Sequence, residues 1–206
     1  MDGKEYLDQI SAEVRPNKPQ SKISRVFSSI YFKLGIGALF AFIVIVIIGG
    51  IISGGKTSLK DQTTILKLHL DRTMEVIKEY QPLVKSSDLR SNSASLYSIL
   101  SNTNNDLTDF ITAKYSFSEK SVSKNITEEA DLEKDDLLSS LFEAKINGNL
   151  DRIYAHKMAY EISWIATKET SIIKATTDQD LKDILNTSYT SLDNLYSKFD
   201  EFSEAR

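Results

Sequence analysis

From residue 57 onward the apolar positions recur at alternating three- and four-residue steps, the spacing of a helix face rather than of a strand. The first row runs Leu59, Thr63, Leu66, Leu70, Thr73, Ile77, Tyr80 and Val84. It predicts one long helix, with Pro82 tolerated near its end. Lys85-Ser86-Ser87-Asp88 then supplies hydroxyl and carboxylate caps for a second helix. That helix carries Leu89, Ser93, Leu96, Leu100, Thr103, Leu107 and Phe110 on one face. Its opposite side, Ser91, Asn92, Ser95, Ser98, Asn102 and Asn105, is hydroxyl- and amide-rich and is expected to face water.

Residues 116–125 lack a helical stripe and read as the longest loop. Thr127 is the expected N-cap of a third helix, with Glu128, Glu129 and Asp131 where the helix dipole favours negative charge. Asn147-Gly148 stops that helix, Gly148 being suited to a left-handed cap. A fourth helix covers 150–175. Its segment 158–166 is apolar nearly all round, the mark of an element packed on several sides. Thr177-Asp178 caps a fifth, with a seam of Leu181, Leu185, Ser188, Leu192, Leu195, Phe199 and Phe202. Five long helices with short connections predict an antiparallel bundle, an all-α domain over 56–206.

One region breaks this periodicity. Residues 34–52 are 19 consecutive positions without a charge or a hydroxyl, and 13 of them are Leu, Ile, Val or Phe. As a helix they would span roughly 28 Å, close to the ~30 Å hydrocarbon core of a bilayer. At about 0.3 to 0.6 kcal/mol per large apolar residue, insertion is favoured by roughly 4 to 8 kcal/mol before any glycine penalty. A cleaved signal would need a shorter run and a shorter basic leader than the 33 residues found here. The segment 34–55 is therefore expected to be a permanent transmembrane helix in contact with the lipid bilayer. Gly37-x-x-x-Ala41 and Gly50-x-x-x-Gly54 have the spacing at which two membrane helices approach closely. They mark candidate helix contacts and a route to a homo-oligomer.

The tail 1–33 is short and basic. Leu7, Ile10 and Val14 share helical spacing, and Pro16 and Pro19 then enforce an extended linker. A mostly disordered tail is the expectation, with a docking peptide as the functional alternative. Arg15, Lys18, Lys22, Arg25 and Lys33 precede the span, and Lys56, Lys60, Lys67 and Arg72 follow it. That asymmetry, small as it is, favours a cytoplasmic N-terminus and an extracytoplasmic C-terminal domain at the cell membrane.

Composition narrows the chemistry. Eight glycines occur in the chain, but Gly148 is the sole one after Gly55, and Pro82 the sole proline after Pro19. A β-rich domain needs far more turn residues. There is no cysteine, so disulfides and thiolate sites are absent. Residues 57–206 hold 18 Lys and Arg against 25 Asp and Glu, a net of −7, which repels phosphate backbones and argues against nucleic acid as a partner. His69 is preceded three residues earlier by Leu66, and His156 by Ile153, so the Glu-x-x-His pairs of a di-iron bundle are missing. Neither histidine opens an H-E-x-x-H zinc motif. No cofactor, metal or catalytic residue is expected.

His156, Tyr160 and Trp164 fall at i, i+4 and i+8 on one face. They form the candidate ligand or partner face, against the plainer alternative of a packed aromatic strip whose polar tips reach solvent. The layout resembles, in topology alone, the ligand-sensing ectodomains of bacterial transducers. Those carry a second span that this sequence does not show, and no motif transfers. The expected function is a membrane-anchored interaction or structural module at the cell envelope with a protein partner. The alternative is a small-ligand-sensing domain working through a partner membrane protein.

Overall fold

The computed structural model describes residues 58–204, apart from 119 and 121. The expected transmembrane helix 34–55, with Gly37, Ala41, Gly50 and Gly54, and the tail 1–33 lie outside the described residues. Among those described there are five α-helices and no strand: α1 (Leu59–Tyr80), α2 (Ser87–Tyr115), α3 (Lys124–Ile146), α4 (Leu150–Ala175) and α5 (Gln179–Glu204), with a 3-10 turn at Gln81–Leu83. None of these helices is long and apolar enough to cross a membrane.

Local chemistry sets the ends. The Ser58 hydroxyl accepts from the Asp61 backbone N–H at 3.1 Å, which starts α1. Pro82 falls in the 3-10 turn that ends it. Ser86 caps α2 by accepting from the Leu89 N–H. The Asp151 carboxylate in the first turn of α4 accepts from the Lys85 and Ser86 N–H groups at 2.9 and 2.8 Å, pinning the α1–α2 turn against α4. Gly148 ends α3 at φ +73°, the left-handed position expected of it. Asp178 caps α5, its Oδ1 accepting from the Asp180 and Leu181 N–H groups.

Two local expectations are corrected. Thr127 is not the N-cap of α3, because the Ile126 and Thr127 N–H groups already donate back to the Ser123 carbonyl at 3.1 and 3.2 Å. The helix starts a turn earlier, so Glu128, Glu129 and Asp131 lie beyond its first turn. On α2, Ile111 rather than Phe110 closes the buried row. Four residues past Leu107 the helix returns to the core, whereas Phe110 lies half-buried beside it, edge-on to Tyr115 at 6.2 Å.

Four helices, α1, α2, α5 and α4, pack in a ring, each against the next. The fifth, α3, lies outside the ring on α1 and α4. His69 of α1 meets Glu161 of α4, and Ser86 in the turn after α1 meets the earlier Asp151, so α1 and α4 are antiparallel. Contacts between α1 and α3 climb together, His69 to Glu133 and Tyr80 to Leu138, so this pair is parallel. Successive helices thus alternate in direction, and α1 and α3, two apart in the chain, become parallel neighbours.

Leu66, Leu70, Ile77, Leu89, Leu96, Leu100, Leu107, Tyr154, Met158, Ile165, Leu185, Leu192 and Phe199 are buried in one continuous core. Small hydroxyls at three other seam positions are satisfied by their own helix: Thr63 donates to Leu59 O, Ser93 to Leu89 O and Thr103 to Ile99 O. Each of these three keeps two helices close without leaving an unpaired buried group, whereas the Ser188 hydroxyl in the α5 seam has no hydrogen-bond partner among the described residues.

Candidate functional site

The most unusual chemistry lies where α1, α3 and α4 meet. His69 of α1 sits one position beside the apolar row, on the side turned to the other two helices, and is 8% exposed. Its Nδ1 stands 3.2 Å from Glu133 Oε2 of α3, and its Nε2 stands 2.7 Å from Glu161 Oε2 of α4. The Trp164 ring stacks on the imidazole, centroids 3.7 Å apart and planes within 17°. Lys168 Nζ, one turn further along α4, lies 5.1 Å from the same indole centroid.

Hydrogen-bond counting fixes the state of this imidazole. An ionised carboxylate only accepts, and a neutral imidazole has one N–H to donate. With a carboxylate against each nitrogen, the favourable state is the imidazolium, donating to both. Burial by itself lowers the His69 pKa, but the hydrogen bonds to Glu133 and Glu161 and their charges outweigh it, and the net shift is upward. Both nitrogens are thereby committed, leaving no lone pair for a metal or a substrate proton. The adjoining cavity, lined by His69, Arg72, Thr73, Glu133, Lys134 and Glu161 among others, holds about 20 Å³. That is room for about one water molecule.

The same α1–α3 boundary carries a ladder of further polar contacts. Arg72 Nε stands 2.7 Å from Asp131 Oδ1, an ion pair whose angle falls outside hydrogen-bond geometry. Glu75 accepts from Arg72 at 2.9 Å and from Lys134 at 3.1 Å. The Tyr80 hydroxyl donates to the Leu138 carbonyl.

A second buried ionisable group occupies the α4–α5 seam. Glu169 follows Ile162 by seven residues and Ile165 by four, a core position, and it is 0% exposed. Neither carboxyl oxygen has a hydrogen-bond partner among the described residues. The Ser188 hydroxyl of α5 approaches without meeting hydrogen-bond geometry. Burial pushes the Glu169 carboxyl up to about 8, with Ser188 opposing weakly. Toward the opposite end of α4, burial raises the Tyr154 phenol to about 12.

The three residues of the expected aromatic face are distributed differently. His156 and Tyr160 are exposed on α4, Tyr160 at 57%, while Trp164 is half-buried and engaged by His69. The structure thus places the first two toward solvent and turns the third toward α1. A separate surface groove of about 610 Å³ runs between α2 and α5, lined by Asp106, Phe110, Lys114, Asp178, Asp180 and Ile184 among others. Lys114 and Asp178 form an ion pair at its edge.

Sequence reasoning missed the His69 site because its three charged members come from three helices, 64 and 92 residues apart in the chain. Glu169 was findable: it is a carboxylate on a row otherwise made of Met158, Ile162, Ile165 and Ile172. Comparison of the chain with protein-family models, curated proteins and solved structures finds no match, so the reading that follows rests on sequence and geometry alone.

Proposed function

We propose that this chain is a single-pass membrane protein whose helical bundle serves as a non-catalytic interaction or structural module at the cell envelope, its N-terminus cytoplasmic and its bundle extracytoplasmic. The observation that carries the reading is the uncharged run 34–52 joined to a bundle that supplies its own complete core. A run of that length and hydropathy is stabilised in lipid, and α1 begins at Leu59, shortly after it ends. Two features favour an interaction role over chemistry. The buried imidazole has both nitrogens engaged by carboxylates, and the cavity beside it takes about one water. Exposed apolar side chains at Leu132, Phe142, Ile146 and Tyr160 offer contact area of the kind protein interfaces use.

Protease shaving of intact cells carrying a C-terminal tag tests this. Loss of the tag without lysis is the expected outcome. A full-length chain in a detergent-free high-speed supernatant contradicts it.

The groove between α2 and α5 supports a second reading, a ligand-sensing domain that signals through a partner's span. Its volume falls within the roughly 300–1,000 Å³ of small-molecule sites, but it lies open to solvent and is strongly acidic. A ligand bound only by the native state must raise the melting temperature. A compound that does so, with the effect lost in Phe110→Ala, would favour sensing over a purely structural role.

A further inference from the structure

We propose that the bundle is a proton-held device: protons on His69 and Glu169 clamp α3 and α5 onto α4, and their loss loosens both contacts. This stands independently of the membrane reading. Two separate geometries carry it.

At His69 the proton is required by the arrangement of acceptors. A carboxylate from α3 and another from α4 face the two ring nitrogens of a residue on α1. Remove the proton and one carboxylate oxygen meets a nitrogen lone pair at hydrogen-bond distance, which is repulsive. The bridge that joins three helices then pushes against itself. The charged groups around the ring come from all three elements. Arg72 belongs to α1, Glu133 and Lys134 to α3, and Glu161 to α4. Lys168 of α4 approaches from beyond Trp164, and burial lowers its pKa, with Glu133 and Glu129 of α3 opposing. The two cations lining the cavity, Arg72 and Lys134, are themselves paired with Glu75, and Arg72 also with Asp131, so the carboxylates at the ring depend on the imidazolium.

At Glu169 the proton is required by burial. Its carboxyl has 0% exposure and no partner in hydrogen-bond geometry, and the group that faces it from α5 is the neutral Ser188 hydroxyl. No ion pair to Glu169 exists among the described residues. An ionised carboxylate there would sit between two apolar seams with only the approaching Ser188 hydroxyl to offset its lost hydration. Glu161 and Glu169 are eight residues apart on one helix, so both sites act on α4.

The signs agree. His69 titrates above its ordinary value, so its contribution is complete below that value and is lost as pH rises through the folded one. Glu169 titrates near 8 against an ordinary 4.5, so the folded state keeps a proton that the unfolded state has released, and stability falls as pH rises across that window. Both sites therefore favour the closed bundle at mildly acidic pH and weaken it at mildly alkaline pH.

The chain carries one tryptophan, and His69 is stacked on it. A protonated imidazole quenches a stacked indole, so Trp164 emission reports the proton on His69 directly. The full-length chain in mild detergent is titrated from about pH 5.5 to about pH 9.5, recording Trp emission and melting temperature. In the parent and in His156→Gln, emission rises sigmoidally with pH. In His69→Gln it stays flat, and in Glu133→Gln, a change at a half-exposed side chain, its midpoint moves to lower pH. Glu169→Gln melts above the parent by a margin that widens from about pH 5.5 to about pH 9, where it reaches several degrees. A pH-dependent emission that survives His69→Gln, or an unmoved midpoint in Glu133→Gln, overturns the first site. A Glu169→Gln melting temperature that tracks the parent at every pH overturns the second.

Discussion

Helices α3 and α5 both dock on α4, yet different forces hold them. α5 buries Leu181, Leu185, Leu192, Leu195 and Phe199 along one seam, with Glu169 as the polar member opposite. α3 buries two alanines and two leucines, Ala130, Leu137, Leu141 and Ala144, while Leu132, Phe142 and Ile146 lie on its outer side. Burying a large apolar side chain stabilises by about 1.5–3 kcal/mol, whereas a partly exposed ion pair contributes about 0–1 kcal/mol. α5 is thus held by area. α3 leans on the ladder from His69 to Tyr80, in which the charged partners Asp131, Glu133 and Glu75 remain substantially exposed. A helix held by area resists salt and feels pH only through a buried member such as Glu169, whereas a helix held by charge feels both.

The widest gap should appear on truncating the seam itself. Leu185→Ala leaves a cavity in fully buried surroundings and is expected to cost about 3–5 kcal/mol in urea unfolding. The matching change on α3, Leu137→Ala, starts from an 8% exposed side chain and should cost no more than about 2 kcal/mol. Equal losses at the two positions would erase the contrast between the docks. Next in size is Gly148→Ala at the α3–α4 corner. A methyl there meets nothing within 4 Å, so the cost is purely the left-handed backbone at φ +73°, about 1–2 kcal/mol. The smallest effect belongs to Phe142→Ser, on the outer side of α3 and 55% exposed, expected to stay within about 0.5 kcal/mol by thermal melting. A larger loss would mean that this face packs on something in the assembled protein.

The seams of α1, α2 and α5 were legible because a helix face repeats locally, and a reader of the sequence needs only spacing. The caps at Ser86, Gly148 and Asp178 were legible for the same reason: a hydroxyl, a glycine or a carboxylate at a helix boundary acts on its own neighbours. Thr127 misled because Ser123, four residues earlier, offers the carbonyl that begins the helix. The position of α3 beside α1 was not legible. It depends on the crossover at 116–123 and on side chains from distant segments, and amphipathic spacing does not say which groove a helix will choose. His69 looked like an isolated imidazole for that reason, whereas Glu169 was visible as a charge on an apolar row and needed only to be weighed.

Hydrogen exchange of the full-length chain, read as protection factors corrected for intrinsic rates at about pH 6.5 and about pH 9, tests the contrast between the two docks most directly. The α3 amides are expected to open at lower free energy than those in the middle of α4 and α5, and protection in α3 to fall further at the higher pH. Exchange of α3 only through global unfolding, with the same protection at both pH values, would contradict it.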